Sequence, residues 1–236
     1  MRIVTWNIRQ GGAASRYQAM ADRLDSYDAD MLVFTEFQEK SHQGLAPLLR
    51  DKGYPHEAYS GATGRTNGVF VMAKAPFIAR GTGIATDAPE RALSITLSES
   101  RLSFLCVHIP GSDDKKFSKV DFWNSILSCC RQKDNAPDVI IGDFNTGLTA
   151  DSQGTTFSCM EQMQSLLAGG WQDAWRKLHG NRPEFTWYSN AGNGFRLDHC
   201  LVRDSLAPAI RHAYYSHQER ETKLSDHSLL VVELMN

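Results

Sequence analysis

Two rhythms of apolar and polar positions alternate along the chain. Short unbroken apolar runs mark strands buried on both faces. Arg2 to Trp6 reads as a strand, and unbroken apolar runs follow from Met31 to Phe34 and at Val139-Ile140-Ile141, the last bounded by Pro137 and Gly142. Between the first two, Tyr17, Met20, Ala21 and Leu24 recur at helical spacing, so an amphipathic helix separates them. A short helix is expected from His42 to Arg50, ending before Gly53 and Pro55.

A meander of strands then follows: His56 to Ser60, Gly68 to Ala73, Phe77 to Arg80, Leu93 to Leu97 and Leu102 to Ile109. Phe117, Val120, Trp123 and Leu127 predict the next helical stripe. Another helix is expected around Phe157 to Leu167, with Met160, Met163 and Leu167 on one face and Trp171 and Trp175 packed beneath it. Strands return at Phe185 to Ser189, Arg196 to Val202, Ile210 to Tyr215 and Ser228 to Leu234. Two sheets packed face to face with helices outside satisfy this order. No linker or low-complexity stretch interrupts it, so residues 1–236 are expected to form one domain.

Composition adds little to the fold but narrows the partners. The chain is 42% hydrophobic and 22% charged, ordinary for a soluble globule. A net charge of −2 argues against a strong non-specific hold on nucleic acid, although a bound metal can supply positive charge locally. The cysteines, Cys106, Cys129, Cys130, Cys159 and Cys200, are odd in number and lack a CxxC spacing, as expected of free thiols in a reducing compartment. No apolar run is long enough to span a membrane. The first residues enter a strand pattern directly, which leaves no room for a signal peptide. A cytoplasmic monomer without membrane attachment is expected.

Polar residues collect where these strands end: Asn7, Glu36, His108, Asp143, Asn145, Asp198 and the pair Asp226-His227. Asp143 and Asn145 lie two apart and face the same way on an extended chain. Taken singly, each reads as a turn former or a solvated carboxylate. Together they suit metal-assisted attack of water on a phosphate ester. A hard cation wants oxygen ligands: Glu36 offers charge, Asn7 a neutral oxygen, and Asp226 a carboxylate that touches the metal or stands behind it. His227 could act as a general base, with Asp198 orienting its far nitrogen. The glycine-rich loop from Gly61 to Gly68 has no phosphate-loop spacing, and Arg65 and Asn67 within it are candidate substrate contacts.

At this point the chain resembles the endonuclease/exonuclease/phosphatase superfamily, the deoxyribonuclease I and exonuclease III fold. The matching segments are Thr5-Trp6-Asn7, Asp30 to Glu36, Val107-His108, Gly142-Asp143-Phe144-Asn145, Arg196-Leu197-Asp198-His199 and Ser225-Asp226-His227. Each is weak alone; their order and spread over the chain make the set strong. The resemblance implies an α/β fold, a four-layered sandwich of two mixed, mostly antiparallel sheets with helices outside, and a phosphoesterase dependent on Mg²⁺ or Mn²⁺. It implies that Glu36 binds the metal with Asn7 and Asp226 beside it. Asp143 would position or deprotonate the attacking water, and Asn145 would hold a phosphate oxygen. His227, oriented by Asp198, would hydrogen-bond the phosphate or act as base. His108 would stabilise the charged phosphate or protonate the leaving oxygen, with Glu90 orienting it.

The subfamily signals diverge. His108 resembles the deoxyribonuclease I, sphingomyelinase and inositol-phosphatase members, where abasic-site enzymes carry tyrosine. The last third is similar to exonuclease III and the abasic endonucleases, in which the positions of Trp187, Phe195 and Leu197 line an apolar pocket for a flipped-out sugar; three core residues is the competing reading. His199 is expected to be structural. The leading expectation is a metal-dependent phosphodiesterase acting on DNA. A phosphatase or phosphodiesterase for a small-molecule or lipid phosphate is the alternative. A non-catalytic binding module on the same fold is a third, disfavoured because no expected site residue is missing.

Overall fold

The structure, a computed structural model, describes residues 1–132 and 136–235. In chain order its strands are β1 (Arg2–Asn7), β2 (Met31–Phe37), β3 (His56–Tyr59), β4 (Gly68–Ala73), β5 (Phe77–Arg80), β6 (Ala92–Leu97), β7 (Ser103–His108), β8 (Val139–Asp143), β9 (Trp171–Asp173), β10 (Trp187–Tyr188), β11 (Gly194–Phe195), β12 (Asp198–Arg203), β13 (Ile210–Ser216) and β14 (Leu229–Leu234). The α-helices are α1 (Tyr17–Asp25), α2 (Glu39–Asp51), α3 (Lys119–Cys130), α4 (Met160–Ala168), α5 (Ala174–His179) and α6 (Gln218–Glu221).

The long strands form two six-stranded sheets, ordered β13-β14-β1-β2-β4-β3 and β5-β6-β7-β8-β12-β9. Each holds one parallel pair near its centre, β1 with β2 and β7 with β8, and is otherwise antiparallel. β10 and β11 make a separate two-stranded ribbon.

Side-chain alternation then dictates the layers. Ile3, Met31, Val33 and Val71 of the first sheet interlock with Ile95, Phe104, Cys106 and Ile141 of the second. The opposite face of the first sheet, through Val4, Leu32 and Phe34, packs against Met20 and Leu24 of α1 and Leu45 and Leu49 of α2. The outer face of the second, through Leu105, Ile140 and Leu201, packs against Phe122, Trp123 and Ile126 of α3 and Met163 and Leu166 of α4. The result is the expected four-layered sandwich. All five cysteines are free thiols, and no helix among the described residues is long and apolar enough to cross a membrane.

The helical stripes divide into success and failure. Tyr17, Met20, Ala21 and Leu24 are all buried. In α3, however, Val120 is 48% exposed, and the buried face is Phe122, Trp123, Ile126 and Cys129. Phe117 lies before the helix, which Ser118 starts by accepting a hydrogen bond from the Asp121 amide. Trp171 packs beneath α4 as expected, whereas Trp175 faces the core between the sheets.

Candidate active site

The parallel pairs aim their carboxyl ends at the same rim, where ligand sites gather in α/β sheets. Asn7 ends β1 and Asp143 ends β8; across the gap between the sheets, Asn7 Nδ2 donates to Asp143 Oδ2 at 2.9 Å. The same amide reaches Glu36 Oε1 at 3.3 Å. Glu36 arrives there through a bulge. The pairing of β2 with β4 slips between Phe34 and Phe37, and Glu36 takes φ 53°. The loop after β1 wraps it: Arg9, Gln10, Gly11 and Gly12 all have positive φ, and the Gln10 amide donates to Glu36 Oε2 at 2.7 Å. On the other sheet, Gly142 allows the close pairing of β8 with β7. It sits at φ 139°, and a Cβ there would lie 2.0 Å from the Val107 carbonyl oxygen.

His108, at the end of β7, is paired in register with Asp143, and its Nε2 lies 3.9 Å from Asp143 Oδ2 and 4.0 Å from Glu36 Oε1. Asp198 opens β12 opposite Asp143. Its Oδ2 meets His227 Nδ1 at 2.9 Å, so the Nε2 of His227 is left to face the cleft. Trp6 Nε1 donates to the His227 carbonyl, and Ser225 Oγ donates to that of Asn7. Asn145 follows at φ 46°, its amide N–H on Asp143 Oδ1 and its Nδ2 on the Ile109 carbonyl, both at 2.9 Å. One side-chain N–H of Asn145 remains for a ligand.

The two histidines are electrically opposite. Burial, and then the Arg91 guanidinium, holds the His108 ring well below the usual histidine range, so it is neutral. Burial works against a charge on His227 too, but the adjacent Asp198 carboxylate, with Asp143 and Asp226, outweighs it and raises the ring to about 10. Asp143 is pushed up to about 7, first by burial and next by the charge of Asp198.

Other expected residues lie apart from this centre or meet different partners. Glu90 does not reach His108. Instead Arg91 Nη1 lies within 3.3 Å of both ring nitrogens, and Arg91 is anchored by Asp114 at 2.8 Å. The neighbour that meets the His108 ring is therefore Arg91 and not the expected Glu90, whose carbonyl accepts from Ser60 Oγ. Asp226 faces Arg9 Nε at 3.6 Å. Arg65 and Asn67 line a polar cleft of about 680 Å³ with Gln10, Gln38, Lys40 and Gly64, on the Glu36 side. Trp187 and Phe195 face each other across the ribbon at 5.9 Å and are half-buried, while Leu197 is buried beside them. The Ser228 amide donates to the Thr186 carbonyl, which draws this ribbon alongside His227.

The residues fit a hard divalent cation. Glu36 and Asp143 share one neutral donor, and Asp198 Oδ1 is buried with no hydrogen-bond partner. Asp143, Asp198 and His227 each offer a ligand atom within 4.8 Å of the others. Such an acidic, oxygen-rich set is under-neutralised as it stands and suits Mg²⁺ or Mn²⁺ better than a thiophilic metal.

Sequence reading missed Arg91, Lys119 and the buried Arg196. Lys119 Nζ donates to the Asn145 carbonyl at 2.6 Å. Arg196, with no exposed surface, bridges Asp151 at 2.6 Å and Asp173 at 2.8 Å behind the Asp198 strand. Only the position of Arg196 two residues before Asp198 hinted at its role.

The geometry agrees with comparison to known proteins. A family model described as Endonuclease/Exonuclease/phosphatase family matches residues 4–227, and the chain belongs to that family. Its fold is shared by an AP endonuclease from Archaeoglobus fulgidus (TM-score 0.84, 20% identity, 100% of both chains). It is shared too by a 3′–5′ exonuclease from Neisseria meningitidis (TM-score 0.81, 23% identity, 99% of both chains). A 3′ phosphatase from Neisseria bound to product DNA hairpin is similar as well (TM-score 0.80, 22% identity, 100% of both chains). No curated protein sequence matches the chain.

Proposed function

We propose that this protein is a divalent-metal-dependent phosphodiesterase acting on DNA, a nuclease of the exonuclease III and abasic-endonuclease kind. The observation that carries the reading is the meeting of Asn7, Glu36 and Asp143 between the two sheets, with the Asp198–His227 pair beside them. Glu36 and Asn7 would hold the cation, with Asp226 available once Arg9 moves aside. When bound, Mg²⁺ or Mn²⁺ would supply charge neutralisation for the phosphate and for the departing oxygen.

The protein's own groups do the rest. Asp143, poised near neutrality, orients the attacking water and takes its proton. The free N–H of Asn145 holds a phosphate oxygen. His227 is charged at neutral pH, so it serves as a hydrogen-bond donor from Nε2 and not as the base. Asp198 fixes that ring by its Nδ1. Neutral His108 donates a hydrogen bond to the leaving side. Arg65 and Asn67 in the polar cleft would meet the flanking backbone, and Trp187, Phe195 and Leu197 would receive an extruded sugar. The whole-chain likeness to a 3′ phosphatase bound to product DNA hairpin and to an AP endonuclease supports DNA as the substrate. The reading takes residues 1–236 as one domain working as a cytoplasmic monomer.

A gel assay with Mg²⁺ tests it, comparing a labelled duplex bearing one abasic-site analogue with the intact duplex and a single strand. Cleavage at the analogue, absent with Asp143→Asn, is the expected result. A second reading, hydrolysis of a small-molecule or lipid phosphate, is favoured by the net charge of −2. Phosphate release from a small ester, with every nucleic acid left intact, would establish that one instead.

A further inference from the structure

The turn that carries Asn145 is gripped from behind by two buried groups outside the reacting set. Lys119 is 7% exposed, and no carboxylate lies within ion-pair distance of its ammonium among the described residues. A buried, unpaired charge is costly, so its placement needs a cause. Its Nζ donates to the Asn145 carbonyl at 2.6 Å and to Ser158 Oγ at 3.0 Å. The next carbonyl, that of Thr146, is met by His199 Nε2 at 2.8 Å. His199 has no exposed surface, and its Nδ1 is fixed by Asp173 at 2.9 Å. The same Nε2 reaches the Arg196 carbonyl at 3.1 Å, so one ring ties the Asn145 turn to the segment leading into Asp198. Asn145 itself is left-handed, a conformation that persists only where its surroundings over-determine it.

We propose that Lys119 and His199 are positioning residues of the reaction, a two-point clamp on consecutive carbonyls that aims the Asn145 side chain at the substrate phosphate. The clamp rests on the phosphoesterase reading for its effect on rate, but not for its effect on the turn. Lys119 fixes the Asn145 peptide from the α3 side, and His199 fixes the following peptide from β12. Neither touches the substrate. Removing either leaves Asp143 and the metal-holding residues in place while freeing the Asn145 peptide to rotate.

The test uses the full chain with Lys119→Met, His199→Phe, the double variant and Lys119→Arg, each checked for folding by circular dichroism. Two readouts are taken: kcat and KM on the abasic-site duplex, and hydrogen–deuterium exchange of peptides covering residues 140–150. Lys119→Met and His199→Phe should each lower kcat roughly 10- to 100-fold, the scale of a small misplacement at a reacting centre. KM should stay within about threefold, because Asn145 is only one of several groups that hold the bound substrate. Lys119→Arg, which keeps a charged donor, should recover most of the rate. The double variant should lose less than the product of the two single losses, because both act through one turn. Exchange in 140–150 should quicken in both single variants.

Wild-type kcat in the folded single variants, a loss confined to KM, or equal losses in Lys119→Met and Lys119→Arg would overturn the clamp. If His199→Phe does not fold, the Lys119 pair decides. If the wild type cleaves no phosphate ester, the proposed function falls, and exchange alone then judges the clamp: unchanged protection of 140–150 rejects it.

Discussion

Asp143 sets the strongest conflict between stability and chemistry. Its carboxyl has almost no exposed surface and is raised from the ordinary 3.8 to about 7. An acid raised on folding binds its proton more tightly in the native state than in the unfolded chain. The stability that this carboxyl contributes therefore falls as pH rises from about 4 to about 7 and stays lower above that. The metal-free wild type should accordingly lose more melting temperature between pH 5 and pH 8 than Asp143→Asn does. Asp143→Asn, which keeps the shape and removes the buried charge, should flatten that dependence and raise the pH 8 melting temperature while nearly abolishing turnover. Thermal melts of both proteins across this range check it; a variant that melts lower than wild type at pH 8 would contradict the argument. The polar residues of this centre were legible in the sequence because the chemistry restricts them to carboxylates, amides and imidazoles at strand ends. Arg91, Lys119 and Arg196 were not, because a buried cation is defined by the tertiary partner that accepts it. Nothing in the local sequence states which carboxylate or carbonyl that will be.

At the scale of single elements, two backbone devices place the clustered polar groups: the bulge that turns Glu36 inward and the glycine that lets β8 lie close to β7. Gly142→Ala should be costly on both counts, a left-hand-side φ and a Cβ driven into the Val107 carbonyl. The expected loss is about 3 kcal/mol or more, the combined scale of backbone strain and overpacking. A urea titration of the variant measures it, and a loss below about 1 kcal/mol would mean that β8 shifts to accommodate the methyl. The buried strands could be read from sequence because an apolar run bounded by Pro137 and Gly142 has few alternatives. The α3 face could not. Val120 and Leu127 fit an apolar stripe as well as Phe122 and Ile126 do, and only the Ser118 cap and the sheet beneath choose between them. Short elements such as β9, α5 and α6 had no periodicity to read.

The molecule as a whole is two similar sheets that share one core and gather an acidic seam at one rim. A cation that binds this seam only in the folded state should raise the melting temperature, by mass action. Millimolar Mg²⁺ should therefore raise it at pH 8 in the wild type and much less in Glu36→Gln, as differential scanning fluorimetry would show. An equal rise in both proteins would place the ion elsewhere. On the proposed DNA reading, a net charge of −2 would leave binding to local contacts such as the Arg65 cleft. Affinity should then fall with salt along a shallow slope, which Arg65→Gln lowers by about one counterion.

The pairing of β1 with β14 joins residues more than two hundred positions apart, with Arg2 facing Glu233. During synthesis every strand of the second sheet, from Phe77 to Arg203, precedes β13 and β14 out of the ribosome. The Asp143 half of the site can thus take shape while the Asn7 half waits, its central strand lacking one neighbour until the chain has passed Leu234. Until then β1 presents an open edge to other nascent chains, and the cell meets this enzyme first as an incomplete sheet in need of cover.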